Sequence, residues 1–163
     1  MRSFGLLIDG KRDLLRTACV VLALATANVV ATAPAAAAPR VAVNLAMTGQ
    51  FTGPNSVAGT FTSKVGRIQD SGTYTETFAV EGNTIDAVKI FTGTQGLIVV
   101  SIHGFVDFPT PTSATFRGGR WQVLFGTGAY AGMKGGGRPS STGSADLALG
   151  TVVVSHRGKA RLR

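Results

Sequence analysis

The chain has 163 residues and a formal net charge of +8, with 44% hydrophobic and 15% charged residues. That is one domain's length of chain, and too apolar for a disordered one. Glycine at 22 positions, set among β-branched residues, argues for strands and against a helical bundle.

Residues 1–37 read as an export leader. Arg2, Lys11, Arg12 and Arg16 form a basic start, Thr17 to Ala33 runs largely apolar, and Pro34 to Ala38 supplies small residues for cleavage after Ala37. A membrane helix needs about 20 apolar residues, and Asn28, three threonines and the Ala-Pro-Ala tail weaken that alternative. The expectation is a secreted protein that begins at Ala38 and has no membrane span in its mature form. Cys19 is the single cysteine, and Arg16 stands where a lipid-attachment motif carries leucine. Residues 38–163 therefore hold no thiol for nucleophilic catalysis, metal binding or a disulfide.

That portion carries 12 Lys and Arg against 6 Asp and Glu, a net +6. Its charges are scattered except for the tail Arg157, Lys159, Arg161 and Arg163, which lacks the stacking aromatics of a nucleic-acid site. Nucleic acid is not an expected partner.

From residue 41 onward the spacing is that of strands. Val41, Val43, Leu45 and Met47 alternate with Ala42, Asn44 and Ala46. Val57, Phe61 and Val65 oppose Thr60, Thr62 and Lys64, and Tyr74, Glu76, Phe78 and Val80 oppose Thr73, Thr75 and Thr77. Residues 84–92, 97–108, 113–118, 120–126 and 148–157 complete about eight strands. Asp70-Ser-Gly72, Glu81-Gly-Asn83, Thr94-Gln-Gly96 and Arg117-Gly-Gly-Arg120 read as tight turns between them. Connections that short imply antiparallel neighbours. With no segment left to cover the sheet as a helix, the strands must close on themselves, and an eight-stranded antiparallel barrel is the expected fold.

An interior of that size is either filled by side chains or holds one small ligand. The inward set expected from alternation is Phe61, Tyr74, Phe78, Phe91, Trp121, Val123, Phe125, Val152 and Val154, and the first seven are the candidate ligand-lining residues. Strand 97–108 departs from alternation, with Leu97, Ile98, Val99, Val100, Ile102, Phe105, Val106 and Phe108 apolar on both faces. Two-sided burial there points to a contact with a second copy, or to cover by another part of the chain.

Residues 126–137 are rich in glycine. They lack the Gly-Lys-Ser/Thr ending of a phosphate loop, and no βαβ unit surrounds them as a dinucleotide site requires. The structural reading is a sharp strand crossing with Tyr130 packed beneath it. The aromatic strand Trp121–Phe125, followed by Gly126-Thr-Gly-Ala-Tyr-Ala-Gly132 and Gly135-Gly-Gly137, resembles the late hairpin of the allene oxide cyclase and dirigent superfamily. Gly150-Thr151 through Gly158-Lys159 resembles its closing strand, and Ala58-Gly-Thr60 with Ser71 to Thr77 the opening strands of bacterial secreted members. The likeness covers residues 56–160. It implies a small eight-stranded barrel, often dimeric or trimeric, whose apolar lumen confines a flexible molecule during cyclisation or coupling without a cofactor. The functional residues of the plant members do not match this chain position by position, so no catalytic role carries over.

Among polar residues, Glu76 shares its face with Tyr74 and Phe78, and a carboxyl inside an apolar barrel is the candidate catalytic group, as a general acid or a polariser of a bound carbonyl. His103 and Asp107 lie about 13 Å apart along one strand, too far to pair directly. With His156 the only other histidine, a metal site would need carboxylates to converge from other strands. No metal or other cofactor is expected. Ser101, Ser113 and Ser155 lack the setting of an activated nucleophile. Arg120 is either a charge at the lumen mouth or a solvated edge residue. The expectation is a small hydrophobic molecule in the lumen, as substrate of an isomerase or cyclase or as bound ligand. The alternative is a packed barrel that serves as an extracellular interaction module.

Overall fold

The computed structural model describes residues 38–138 and 141–162, so the leader expected over residues 1–37 lies outside the described residues. Nine strands run through them: β1 (Arg40–Gly53), β2 (Ser56–Val65), β3 (Ile68–Glu81), β4 (Thr84–Gly93), β5 (Leu97–Thr110), β6 (Ser113–Gly126), β7 (Lys134–Gly137), β8 (Ser141–Asp146) and β9 (Thr151–Arg161). Each of β1 to β6 pairs antiparallel with the next, and β9 returns to pair with β1 over the register Arg40↔Arg161 to Gln50↔Thr151. β7 and β8 both lie between β6 and β9 and together fill one position. The result is the expected closed antiparallel barrel of eight strand positions, with no free edge. Among the described residues the one helical segment is a single 3-10 turn, Gly128–Tyr130, and no helix is long and apolar enough to cross a membrane.

Alternation drives the closure. Val43, Leu45 and Met47 of β1, Phe61 and Val65 of β2, Tyr74 of β3 and Val152 and Val154 of β9 all turn inward and are buried. Their neighbours face outward, where Thr48, Thr60, Thr73 and Thr92 stand side by side across β1 to β4. β-branched hydroxyl residues suit an exposed pleated face, so each strand can bury one side and wet the other.

The two ends of the barrel differ. Phe61, Phe91 and Tyr74 pack one half of the lumen, with ring centroids 5.1 Å apart for Phe61–Phe91 and 5.9 Å for Tyr74–Phe91. Tyr130 and Met133, from the connection after β6, are buried under that end, as the crossing read from the glycine-rich stretch requires. Asp70 ties the end shut. Its carboxylate accepts hydrogen bonds from the Thr94 backbone N–H and hydroxyl (both 2.9 Å), the Gln95 N–H (3.2 Å) and the Tyr130 hydroxyl (3.2 Å). Burial opposes ionisation of Asp70, but the bonds from Thr94, Gln95 and Ser71 outweigh it and hold its pKa below the ordinary value.

Several local expectations are corrected. Asp70-Ser71-Gly72 is not a turn but part of β3; the chain reverses at Gly66-Arg67 instead. Residues 113–118 and 120–126 are one strand, and Gly118 and Gly119 form a bulge within it, two residues set against Gly104 between the pairs Phe105↔Arg117 and His103↔Arg120. Their φ angles of +66° and +84° explain why both are glycine. The last strand starts at Thr151, not 148, and β8 before it was not expected.

Candidate functional site

The other half of the lumen is not filled. A cavity of about 200 Å³ opens at the end formed by the β1–β2, β3–β4, β5–β6 and β8–β9 turns. Its walls are apolar: Phe51, Val57, Phe78, Ile85, Ala87 and Ile102, with Val106, Ala114, Phe116, Val152 and Val154. Val80, Phe105, Phe108 and Leu147 line it where it meets solvent and are 38–53% exposed.

Four polar side chains line its buried part: Glu76, Lys89, Ser141 and His156. Each follows from strand register. Glu76 is inward on β3 between Tyr74 and Phe78, and Lys89 is inward on β4 between Ala87 and Phe91. The two-residue turn at Gly82-Asn83 sets them directly opposite one another. Lys89 Nζ donates to Glu76 Oε2 at 2.6 Å, with Lys89 only 2% and Glu76 7% exposed. Burial pushes the Lys89 ammonium below its ordinary pKa, while the charge and hydrogen bond of Glu76 act against that fall. Lys89 Nζ also lies 5.7 Å from the centre of the Tyr74 ring. Burial, reinforced by the Glu76 charge, pushes the Tyr74 phenol up to about 12.

His156 is inward on β9 and opposite Ser141 of β8, whose hydroxyl oxygen lies 2.8 Å from its Nδ1. Burial first, and the Lys89 charge second, hold the imidazole down to about 3, so it is neutral at physiological pH. Its Nε2 is buried without a hydrogen-bond partner, as is the Tyr74 hydroxyl. The arrangement is an ion pair and a neutral imidazole at the inner end of an apolar pocket. Such groups can move a proton or hold a polar atom of a bound molecule.

The residues singled out from sequence divide three ways. Glu76 and Phe78 line the cavity. Phe61, Tyr74, Phe91, Trp121 and Val123 are buried but belong to the packed part of the barrel, and the Trp121 indole N–H donates to the Arg157 carbonyl at 2.8 Å. Phe125 is corrected outright, being 57% exposed on the outer face. Val99 pairs with Phe125 and Val100 with Val123, so Leu124 is an extra residue in a bulge, and alternation breaks there. Ile90, Val99 and Phe125 then stand in register on the outside of β4, β5 and β6.

The remaining polar candidates face away from the lumen. His103 bonds to Asp86 at 2.8 Å on the surface, and Asp107 pairs with Arg117. Arg120 is exposed and lines no part of the cavity. Lys89 and His156 were missed as site residues, although Ile85-Ala87-Lys89-Phe91 and Val152-Val154-His156 each place them on an inward face by simple alternation.

No protein-family model matches the chain, and no curated protein does. Among solved structures it is similar to a pterocarpan synthase dirigent protein, with a TM-score of 0.43 and 13% identity over 77% of this chain and 92% of that one.

Proposed function

We propose that this barrel takes a small, mainly apolar molecule into the open half of its lumen, as an exported protein acting outside the cell. The observation that carries the reading is the cavity of about 200 Å³, apolar along its walls and polar at its inner end. An apolar cavity of about 150 Å³ is enough to hold benzene, so this one accommodates a molecule of one or two fused rings or a folded chain of similar size. The same observation favours a ligand-holding barrel over a fully packed interaction module. Confinement of a flexible molecule in one conformation is itself a route to ring closure or isomerisation. Glu76 and Lys89, hydrogen-bonded at 2.6 Å, supply a base and an acid for such a reaction. Self-association through the outer face of strand 97–108 belongs to the same reading and rests on the outward row Ile90, Val99 and Phe125.

The test fills the cavity from its wall. Ala114 is 2% exposed and lines the pocket, so Ala114→Phe places a ring in the ligand's space. With tetralin as probe in titration calorimetry, the natural protein binds and the variant does not, while circular dichroism shows both folded. Equal uptake by the two proteins, or none by the natural one, refutes the proposal.

A further inference from the structure

The inner end of the cavity has hydrogen-bonding capacity that the protein does not use. Lys89 Nζ has three N–H donors, and among the described residues its one hydrogen bond goes to Glu76 Oε2. His156 Nε2, on a residue 1% exposed, has no partner among the described residues. A buried polar atom left unpaired costs about 1–3 kcal/mol, and both atoms belong to residues that line the same pocket. Packing alone accounts for neither: apart from Glu76, Lys89, Ser141 and His156 the buried lining of the cavity is apolar, and the site could have been closed with valine or alanine as its neighbours are.

Charge narrows what can sit there. Lys89 and Glu76 already form a neutral pair, so an anionic ligand would bring an uncompensated charge into an apolar pocket, which is strongly unfavourable. A ligand without polar atoms would leave the donors unpaired. The Lys89 ammonium donates and cannot accept, so the matching ligand atom is an acceptor. If the Ser141 hydroxyl donates to Nδ1, the ring hydrogen of His156 resides on Nε2, which gives a second residue of the pocket lining an unused donor.

From this we infer that the ligand is a neutral carbonyl compound, a ketone or enone on an apolar one- or two-ring skeleton, bound with its oxygen inward against Lys89 and His156. The inference rests on the lumen-binding reading above and adds to it the chemical class and the orientation of the ligand. Lys89 and His156 thereby become the residues that set specificity, and an oxygen held by them is polarised in the sense that proton transfer at the adjacent carbon requires.

The experiment compares three probes of one shape at pH 7: tetralin, α-tetralone and the tetralin-2-carboxylate anion, each titrated into the natural protein by calorimetry. The expected order is α-tetralone tightest, by about tenfold over tetralin for one to two net hydrogen bonds, with the carboxylate weakest. In Glu76→Leu/Lys89→Met the preference for α-tetralone over tetralin shrinks to the part His156 supplies, and with His156→Phe added it disappears, while tetralin still binds. Equal affinity for tetralin and α-tetralone in the natural protein overturns the inference and leaves the lumen reading standing. Tightest binding of the carboxylate also overturns it. Failure of all three probes to bind overturns the lumen reading itself.

Discussion

The pair formed by Glu76 and Lys89 invites a thermodynamic cycle. Lys89→Met removes the cation and leaves a carboxylate in a site where Glu76 is 7% exposed, and Glu76→Gln leaves an ammonium on a residue 2% exposed. Removing one partner of a buried pair costs about 3–5 kcal/mol, because the other charge stays behind without solvent, whereas replacing both by apolar groups of similar volume is often neutral or stabilising. At roughly 4 °C of melting temperature per kcal/mol for a domain of this size, each single variant should melt about 10–20 °C below the natural protein. Glu76→Leu/Lys89→Met should melt within roughly 5 °C of it. Thermal and urea melts at pH 7, followed by circular dichroism, give the four corners of the cycle. Repetition in 1 M salt should change the coupling little, since screening acts mainly on exposed charges. Single losses below about 1 kcal/mol, or a double variant that loses the sum of the two singles, would mean that water reaches the pair and that Glu76 and Lys89 are not the buried ion pair described above.

Other measurements bear on separate parts of the structure. With His156 held near 3 against 6.5 for a free imidazole, the unfolded chain binds a proton that the folded chain refuses, so stability should fall as pH drops from about 6.5 toward 3, by up to about 1.4 kcal/mol per pH unit; urea melts should show a flatter profile for His156→Gln. Asp70, whose pKa is lowered, stabilises above the ordinary carboxylate range and loses that contribution as pH falls through its folded value; Asp70→Asn should cost about 2–4 kcal/mol at pH 7 through weakened bonds to Thr94, Gln95 and Tyr130, and an unchanged melting point would contradict the closed end. Phe91→Ala should cost about 3–5 kcal/mol and Phe125→Ser under about 1 kcal/mol, since Phe91 is 0% and Phe125 57% exposed; equal losses would put Phe125 back inside the lumen. Native mass spectrometry of the protein and of Phe125→Ser reads the association expected through strand 97–108, the variant shifting toward monomer; identical subunit numbers in the two remove this outer face from the contact.

Much of this architecture was legible in the order of residues. Period-two spacing, short turns and the lack of any helical stretch to cover a sheet lead directly to antiparallel closure, and the inward place of Glu76 follows from Tyr74 and Phe78 beside it. Its partner was within reach too, since a two-residue turn at Gly82-Asn83 makes residue numbers 76 and 89 face one another. Other features were hidden for physical reasons. A bulge adds one residue without changing composition, and where Leu124 and Phe125 are both apolar the side chains give no sign of which one the backbone turns outward. Gly118-Gly119 has the positive φ angles that either a turn or a bulge uses. β8 buries Ser141 and Ala145, residues too small to announce a face. The cavity depends on how far opposite walls stand apart, a property of the closed barrel and not of any segment.

The seal that Asp70 and Tyr130 place on one end has a kinetic meaning. A tube blocked at its base has a single doorway, so whatever enters must leave by the route it came, and the next molecule waits outside until it does. For a ligand held as proposed, one slot means that competitors would exclude one another, that none could push an occupant through from behind, and that both entry and departure would run past Phe105 and Phe108.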